Sequence, residues 1–88
     1  AEAAGIAGYG GTMYEGGIAI TAGIHLVCAT PNIRLGAEFY TASYVLGVEV
    51  LKTPVRLDDG HSHLPPGPGL GIEVDESAVA QIASARWD

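Results

Sequence analysis

Residues 6–40 read IAGYGGTMYEGGIAITAGIHLVCATPNIRLGAEFY, and three segments of different period lie inside them. Residues 6–13 are short, apolar and glycine-rich, which fits a buried strand that other backbone or a ligand approaches closely. Residues 16–30 put Ile18, Ala22, Leu26 and Ala29 on one face at helical spacing, with Thr21, His25 and Cys28 beside them. Nearly every face of that segment is apolar, so the expectation is a helix buried on all sides. Pro31 stops it, because the proline ring removes a donor and clashes with the preceding turn. Over 33–40, Leu35, Ala37 and Phe39 alternate with Gly36, Glu38 and Tyr40, the two-residue period of a strand. Strand, helix, strand in that order is the unit of a parallel sheet or barrel with helices outside. The expected class is α/β.

The flanks extend this frame. Ala1-Glu2-Ala3-Ala4-Gly5 reads as the last turn of a helix, with Gly5 at the left-handed position that ends helices. The chain opens without an initiator methionine and its only Met is Met13, so a processed chain or the tail of a longer one is expected. Residues 41–51 (TASYVLGVEVL) read as loop. Residues 53–57 and 62–64 flank Asp58-Asp59-Gly60, a hairpin signal. The link 65–71 (PPGPGLG) is rigid and turn-rich. Asp75 then caps a closing helix over 76–86, where Val79, Ile82 and Ala83 share an apolar face and Arg86 suits the negative C-terminal end.

Composition narrows the function classes. Of 88 residues, 48% are apolar and only 16% charged, too apolar for a disordered polyelectrolyte and too lightly charged for a solvated helical bundle. Such a chain is expected to need a large partner surface. Four dispersed Lys and Arg against ten acids, with a pI near 4.7, form no basic stripe, so nucleic acid and anionic membranes are not expected partners. The uncharged run 16–33 approaches the length of a membrane span, but Gly16-Gly17, Pro31-Asn32, Thr21 and His25 shorten its apolar core, which favours a helix buried in protein. No positively charged leader precedes it. Cys28 is the only cysteine, which excludes an internal disulfide and predicts a buried, inert thiol in a reducing intracellular setting.

Glu15 is the only acid between Glu2 and Glu38, and it stands between a glycine-lined strand and the two glycines that start a helix. In a β/α barrel the C-terminal ends of the strands hold the reacting groups, because the loops there converge on one cavity. A carboxylate in a low-dielectric pocket can stay protonated and donate at neutral pH. The competing reading is a carboxylate that stabilises the helix N-terminus. His61 and His63, with Asp58 and Asp59 nearby, suggest a metal pair or an ordinary exposed hairpin; the second reading is favoured because no third ligand has a fixed spacing. His25 is expected to be a packed, hydrogen-bonded histidine, and Glu38 a structural ion-pair partner. The glycine clusters at 8–11 and 67–71 lack the lysine of a phosphate loop, and no Ser-His-Asp arrangement is defensible.

Two stretches together resemble a known family. AEAAGIAGYGGTMYEGG at 1–17 and PPGPGLGIEVDE at 65–76, with ATPNI and GAEF between them, are similar to the C-terminal part of the enolase superfamily in its muconate-lactonizing branch, the muconate and chloromuconate cycloisomerases. The resemblance runs along nearly the whole chain, and a complete member is several times longer. It implies the C-terminal portion of a modified β/α (TIM-type) barrel plus the tail returning to a capping domain: 1–51 as the last βαβ portion, 52–88 as a hairpin and helix packed back on the cap. It implies conversion of cis,cis-muconate to muconolactone through an enolate, in aromatic catabolism, by a cytoplasmic homo-oligomer acting on a small dicarboxylate. It also implies a Mn²⁺ or Mg²⁺ cofactor whose acidic ligands, like both catalytic lysines, lie upstream, so no metal ligand is expected among these residues. Glu15 matches the glutamate of GGTM-x-E, a proton donor or hydrogen-bond partner of the substrate carboxylate; Met13 and Gly17 match positions at the substrate. Tyr14 departs from the family's usual Leu. The resemblance leaves room for a dipeptide epimerase, an N-acylamino-acid racemase, an o-succinylbenzoate synthase, or a non-catalytic chain completing a split barrel. In every case the isolated segment is expected to be inactive.

Overall fold

Two short strands, β1 (Gly8–Gly10) and β2 (Ile33–Ala37), pair in parallel and are joined by a 13-residue helix, α1 (Gly17–Ala29). These come from a computed structural model, which describes residues 1–84. The expected strand, helix, strand order is present, but both strands are shorter than their sequence pattern. The Glu38 N–H donates to the Gly10 carbonyl at 2.9 Å, and beyond Gly10 the chain leaves β2 to make the loop that leads to α1. Glycine at position 10 is a packing requirement. A Cβ there would sit 2.9 Å from both the Ala37 Cβ and the Val27 Cγ2, so α1 lies directly on the strand pair.

Only one face of α1 is buried, where burial on all sides is expected. Gly17, Ile20, Thr21 and Ile24 face inward, whereas Ile18, Ala22, Leu26 and Ala29 are exposed, Leu26 to 61%. With apolar residues on all sides, period alone cannot choose a face; the neighbours do. The Phe39 ring comes within 3.1 Å of where a Gly23 Cβ would be, and Leu51 closes on Gly17. Buried Thr21 is satisfied by donating to the Gly17 carbonyl at 2.7 Å. Cys28 lies one turn beyond Ile24 and is exposed, correcting the expectation of a buried thiol.

After β2 the segment expected to be loop contains a short helix, α2 (Ala42–Leu46), closed by Gly47 at φ 71°. Five residues are too few for periodicity to register. Leu51 then bridges Val74 in antiparallel fashion, flanked by bonds from Lys52 N–H to the Glu73 carbonyl and from Asp75 N–H to the Val50 carbonyl, which tie the tail to the first half of the chain. The hairpin forms as expected, though with two-residue strands, β3 (Leu57–Asp58) and β4 (His61–Ser62). Asp59 and Gly60 are both left-handed, at φ 48° and 73°, the geometry that matches strand twist in a two-residue turn. The proline link docks on α1 through His25, whose Nε2 lies 2.9 Å from the Leu70 carbonyl, the packed histidine expected.

The closing helix, α3 (Glu76–Ile82), starts at Asp75, whose carboxylate accepts from Ser77 N–H and Ala78 N–H at 3.0 and 3.1 Å. It ends sooner than the expected 76–86, with Ala83 extended; Arg86 lies outside the described residues. At the other end Gly5 takes the left-handed conformation expected, after a single turn of 3-10 helix at Glu2–Ala4.

Only four apolar residues are buried among those described: Ile20, Ile24, Ala42 and Leu51. The accessible surface is 6368 Å², against about 4,850 Å² for a compact protein of this mass. The radius of gyration is 14.6 Å, against about 12 Å for a compact domain of this length. The surplus, about 1,500 Å², is the size of a specific protein interface. The surface expected to need a partner is therefore present, and large apolar side chains such as Ile6, Leu26, Leu35 and Ile82 lie on it.

Two predictions follow from these contacts. In the complete protein, Gly10→Ala should cost about 1–3 kcal/mol in chemical denaturation, because neither the backbone-fixed Ala37 nor the helix can retreat freely. Hydrogen bonds from the Ser77 hydroxyl, then from Ala78 N–H, hold the Asp75 carboxyl below its ordinary value of 3.8. A depressed folded-state value makes the cap's contribution complete above that pH and lost as pH falls through the folded value. Amide exchange protection at Ser77 and Ala78 should be constant near neutrality, fall in acid, and be missing at all pH values in Asp75→Ala.

Candidate functional site

Parallel pairing puts the C-terminal ends of β1 and β2 on the same side, so the loop 11–16 and the segment 38–41 emerge together. The Thr12 hydroxyl joins them by donating to the Glu38 carbonyl at 3.1 Å. Within the first loop Tyr14 adopts φ 53°, a left-handed conformation that costs an aromatic residue about 1–2 kcal/mol. The turn brings the Glu15 carboxylate back over its own loop, where it accepts a hydrogen bond from Met13 N–H. Glu15 is half-buried and makes no capping bond to α1, whose N-cap, Gly16, has no side-chain partner. The alternative in which this carboxylate caps the helix therefore has no hydrogen bond behind it.

A cleft of about 490 Å³ opens beside the loop, lined by Thr12, Met13, Tyr14, Tyr40, Tyr44 and Val45. Met13, 79% exposed, is part of that wall. Gly17 is not. It is buried at the start of α1, where an added Cβ would stand 2.6 Å from Glu49 Oε1 and 2.8 Å from Leu51 Cδ1. Glu49 Oε1 in turn accepts from Val50 N–H and Leu51 N–H at 2.9 and 3.1 Å. Neither Glu49 nor Tyr44 stood out in the sequence. Both lie in the segment read as loop, and their roles depend on α2 and on the bridge to Val74.

Other acids and histidines are engaged elsewhere. The Glu38 side chain has no ion-pair partner among the described residues, contrary to expectation. Its backbone holds the two loops, and its side chain neighbours Tyr9. The Tyr9 phenol is pushed up by desolvation, and further by the charge and hydrogen bond of Glu38. In the hairpin, His61 Nδ1 faces the Asp59 carbonyl at 2.8 Å, while Asp58 pairs with Arg56 at 2.5 Å and has His63 Nε2 at 3.7 Å. The His63 N–H continues the hairpin by donating to the Arg56 carbonyl at 2.9 Å, but the two imidazoles face separate partners, the Asp59 carbonyl and the Asp58 carboxylate. Among the described residues no group of three His, Cys, Asp or Glu side chains could hold a metal ion.

The profile of the family described as enolase C-terminal domain-like matches residues 1–78. Muconate cycloisomerase 1 of Rhodococcus opacus is 46% identical over 79 residues, covering 90% of this chain and 21% of its own. Among solved structures, a muconate cycloisomerase from Azorhizobium caulinodans is 47% identical with a TM-score of 0.77, over 94% of this chain and 23% of that one. Muconate lactonizing enzyme from Pseudomonas putida is 38% identical with a TM-score of 0.80, over 91% and 22%. The matched part is C-terminal, and the chain spans about a fifth of the length of the curated relatives it matches. The architecture is thus that of the C-terminal part of an enolase-superfamily TIM-type barrel.

The glycine pair before α1 separates packing from conformation. Gly17→Ala should destabilise the complete protein by about 1–3 kcal/mol, since the new methyl displaces Glu49 and Leu51. Gly16→Ala, with open space around it and φ −75°, should stay within about 0.5 kcal/mol of the parent in the same denaturation experiment.

Proposed function

The chain belongs to the enolase C-terminal domain-like family, and on that premise we propose that it is the C-terminal segment of a muconate cycloisomerase. The reaction interconverts cis,cis-muconate and muconolactone: one carboxylate oxygen closes on the carbon chain, the displaced charge spreads into the other carboxylate as an enolate, and a proton is added at carbon. The observation that carries the reading is GGTM-x-E, folded as a loop at the C-terminal end of a parallel strand, in a chain whose relatives are named for this activity.

In this proposal the Glu15 carboxyl is the proton donor, or donates a hydrogen bond to the substrate carboxylate where charge develops. Its half-buried position directly after Tyr14 of the cleft wall supports that role; the hydrogen bond from Met13 N–H would have to be exchanged for one to substrate. Met13 contributes wall to the substrate pocket. Gly17 shapes the pocket by letting α1 begin close against Glu49 and Leu51. The Mn²⁺ or Mg²⁺ of such enzymes, which would stabilise the enolate, does not fit any side-chain set described here. Its ligands, and the lysines that move the proton, belong to the remaining polypeptide. The proposed division is that 1–51 closes the barrel and 52–88 returns to the capping domain; the exposed Val79 and Ile82 of α3 support a surface that something covers. A cytoplasmic homo-oligomer is part of the same proposal. No helix among the described residues is long and apolar enough to cross a membrane.

Two experiments test the reading. In the complete enzyme, Glu15→Gln should lower kcat by about 10²–10⁴ with an unchanged melting temperature; a drop in melting temperature with turnover intact would assign Glu15 a structural role. The isolated 88-residue chain should show no metal-dependent cycloisomerase turnover, and activity in that preparation would contradict the assignment.

A further inference from the structure

Three of the chain's four tyrosines, Tyr14, Tyr40 and Tyr44, line one cleft at the C-terminal ends of the paired strands. They come from different elements: Tyr14 from the loop after β1, Tyr40 from the segment after β2, and Tyr44 from α2. Tyr14 and Tyr44 are 75% and 83% exposed, so their rings do not serve the core of this chain. Tyr14 is also the residue held at φ 53°, directly between Met13 of the cleft wall and Glu15. Strained conformations concentrate where a side chain must be presented to a ligand.

The chemistry of the lining is specific. No charged side chain is present among the described lining residues; Met13, Val45 and the ring faces offer an apolar channel, and the phenols offer O–H donors. The remaining hydroxyl, that of Thr12, is committed to the Glu38 carbonyl. A cleft of this kind accepts a short apolar chain and meets an anionic end with neutral donors. Hydrogen bonds from a hydroxyl to a carboxylate are short and strong, and they do not require a cation.

We propose that Tyr14 and Tyr44 are specificity-determining residues whose hydroxyls hydrogen-bond one carboxylate of an α,ω-dicarboxylate substrate, the carboxylate farther from Glu15, while Met13 and Val45 contact its carbon chain. This rests on the reading of the site as a dicarboxylate cycloisomerase and deepens it.

The test uses the complete enzyme, its Tyr14→Phe, Tyr44→Phe and double variants, and two unreactive probes: adipate, a saturated six-carbon dicarboxylate, and its monomethyl ester. Calorimetric Kd values for the two probes give the preference for a second carboxylate. The parent should prefer adipate, and each single variant should reduce that preference about 10-fold. A diacid-to-monoester ratio unchanged in the double variant, or a parent that does not bind adipate, overturns the inference. Turnover of cis,cis-muconate by the parent is scored separately. A parent with tyrosine-dependent preference but no muconate turnover retains this inference and loses the cycloisomerase reading. Turnover with a tyrosine-independent ratio does the reverse.

Discussion

The whole arrangement depends on backbone being allowed to come close at two glycines. At Gly10 the absence of a side chain lets Val27 of α1 and Ala37 of β2 meet over the first strand, and at Gly17 it lets the start of the helix press on Glu49 and Leu51. With both ends of the connection pinned, residues 11–16 must turn sharply between strand and helix. That turn holds Tyr14 in its left-handed conformation and folds the Glu15 carboxylate onto Met13 N–H. The placement of the acid is thus a consequence of packing several residues away, and a methyl group at either glycine would reach it through the backbone.

The second constraint is incompleteness. A two-stranded parallel pair, a helix buried on one face only and a tail held by one short bridge leave more surface than a chain of this mass normally shows. β2 is a five-residue strand whose last four residues are exposed, and α3 has no buried residue. A β/α unit of this kind is stable when further strands continue the sheet and a second layer covers it. The candidate site has the same character: one wall of a cleft, with three phenols and no charged side chain among the described residues lining it, and with Glu15 beside that wall in sequence but not part of it.

Much of this was legible in the sequence because it rests on local signals. Asp59-Gly60 dictates a tight hairpin, Asp75 dictates a helix start, Gly5 a helix end, and Pro31 the break between α1 and β2. His25 was correctly read as packed, since an imidazole on an apolar helix needs a partner and finds the Leu70 carbonyl. What failed did so where tertiary neighbours decide. The apolar residues of α1 surround the helix, which suggests burial on all sides, yet the neighbours present cover one face only, and Cys28 on another face is exposed although free thiols are usually buried. The helix 42–46 is one turn with weak periodicity, and without it Tyr44 could not be brought to Tyr14. An ion pair is expected for Glu38, but among the described residues Lys52 pairs with Glu73 and Arg56 with Asp58, and no cation pairs with Glu38. Residues in the family-like motif were visible as a pattern, while the reason for each, clearance at Gly17 and exposure at Met13, required coordinates.

The account turns on Glu15 standing at the edge of a substrate cavity that other polypeptide completes. A crystal structure of the complete protein with a six-carbon dicarboxylate bound tests it directly. The account predicts a Glu15 carboxyl oxygen within hydrogen-bond distance, about 3.2 Å or less, of a ligand carboxylate oxygen. A ligand bound elsewhere, with Glu15 still closed on Met13 N–H and covered by protein, would contradict it.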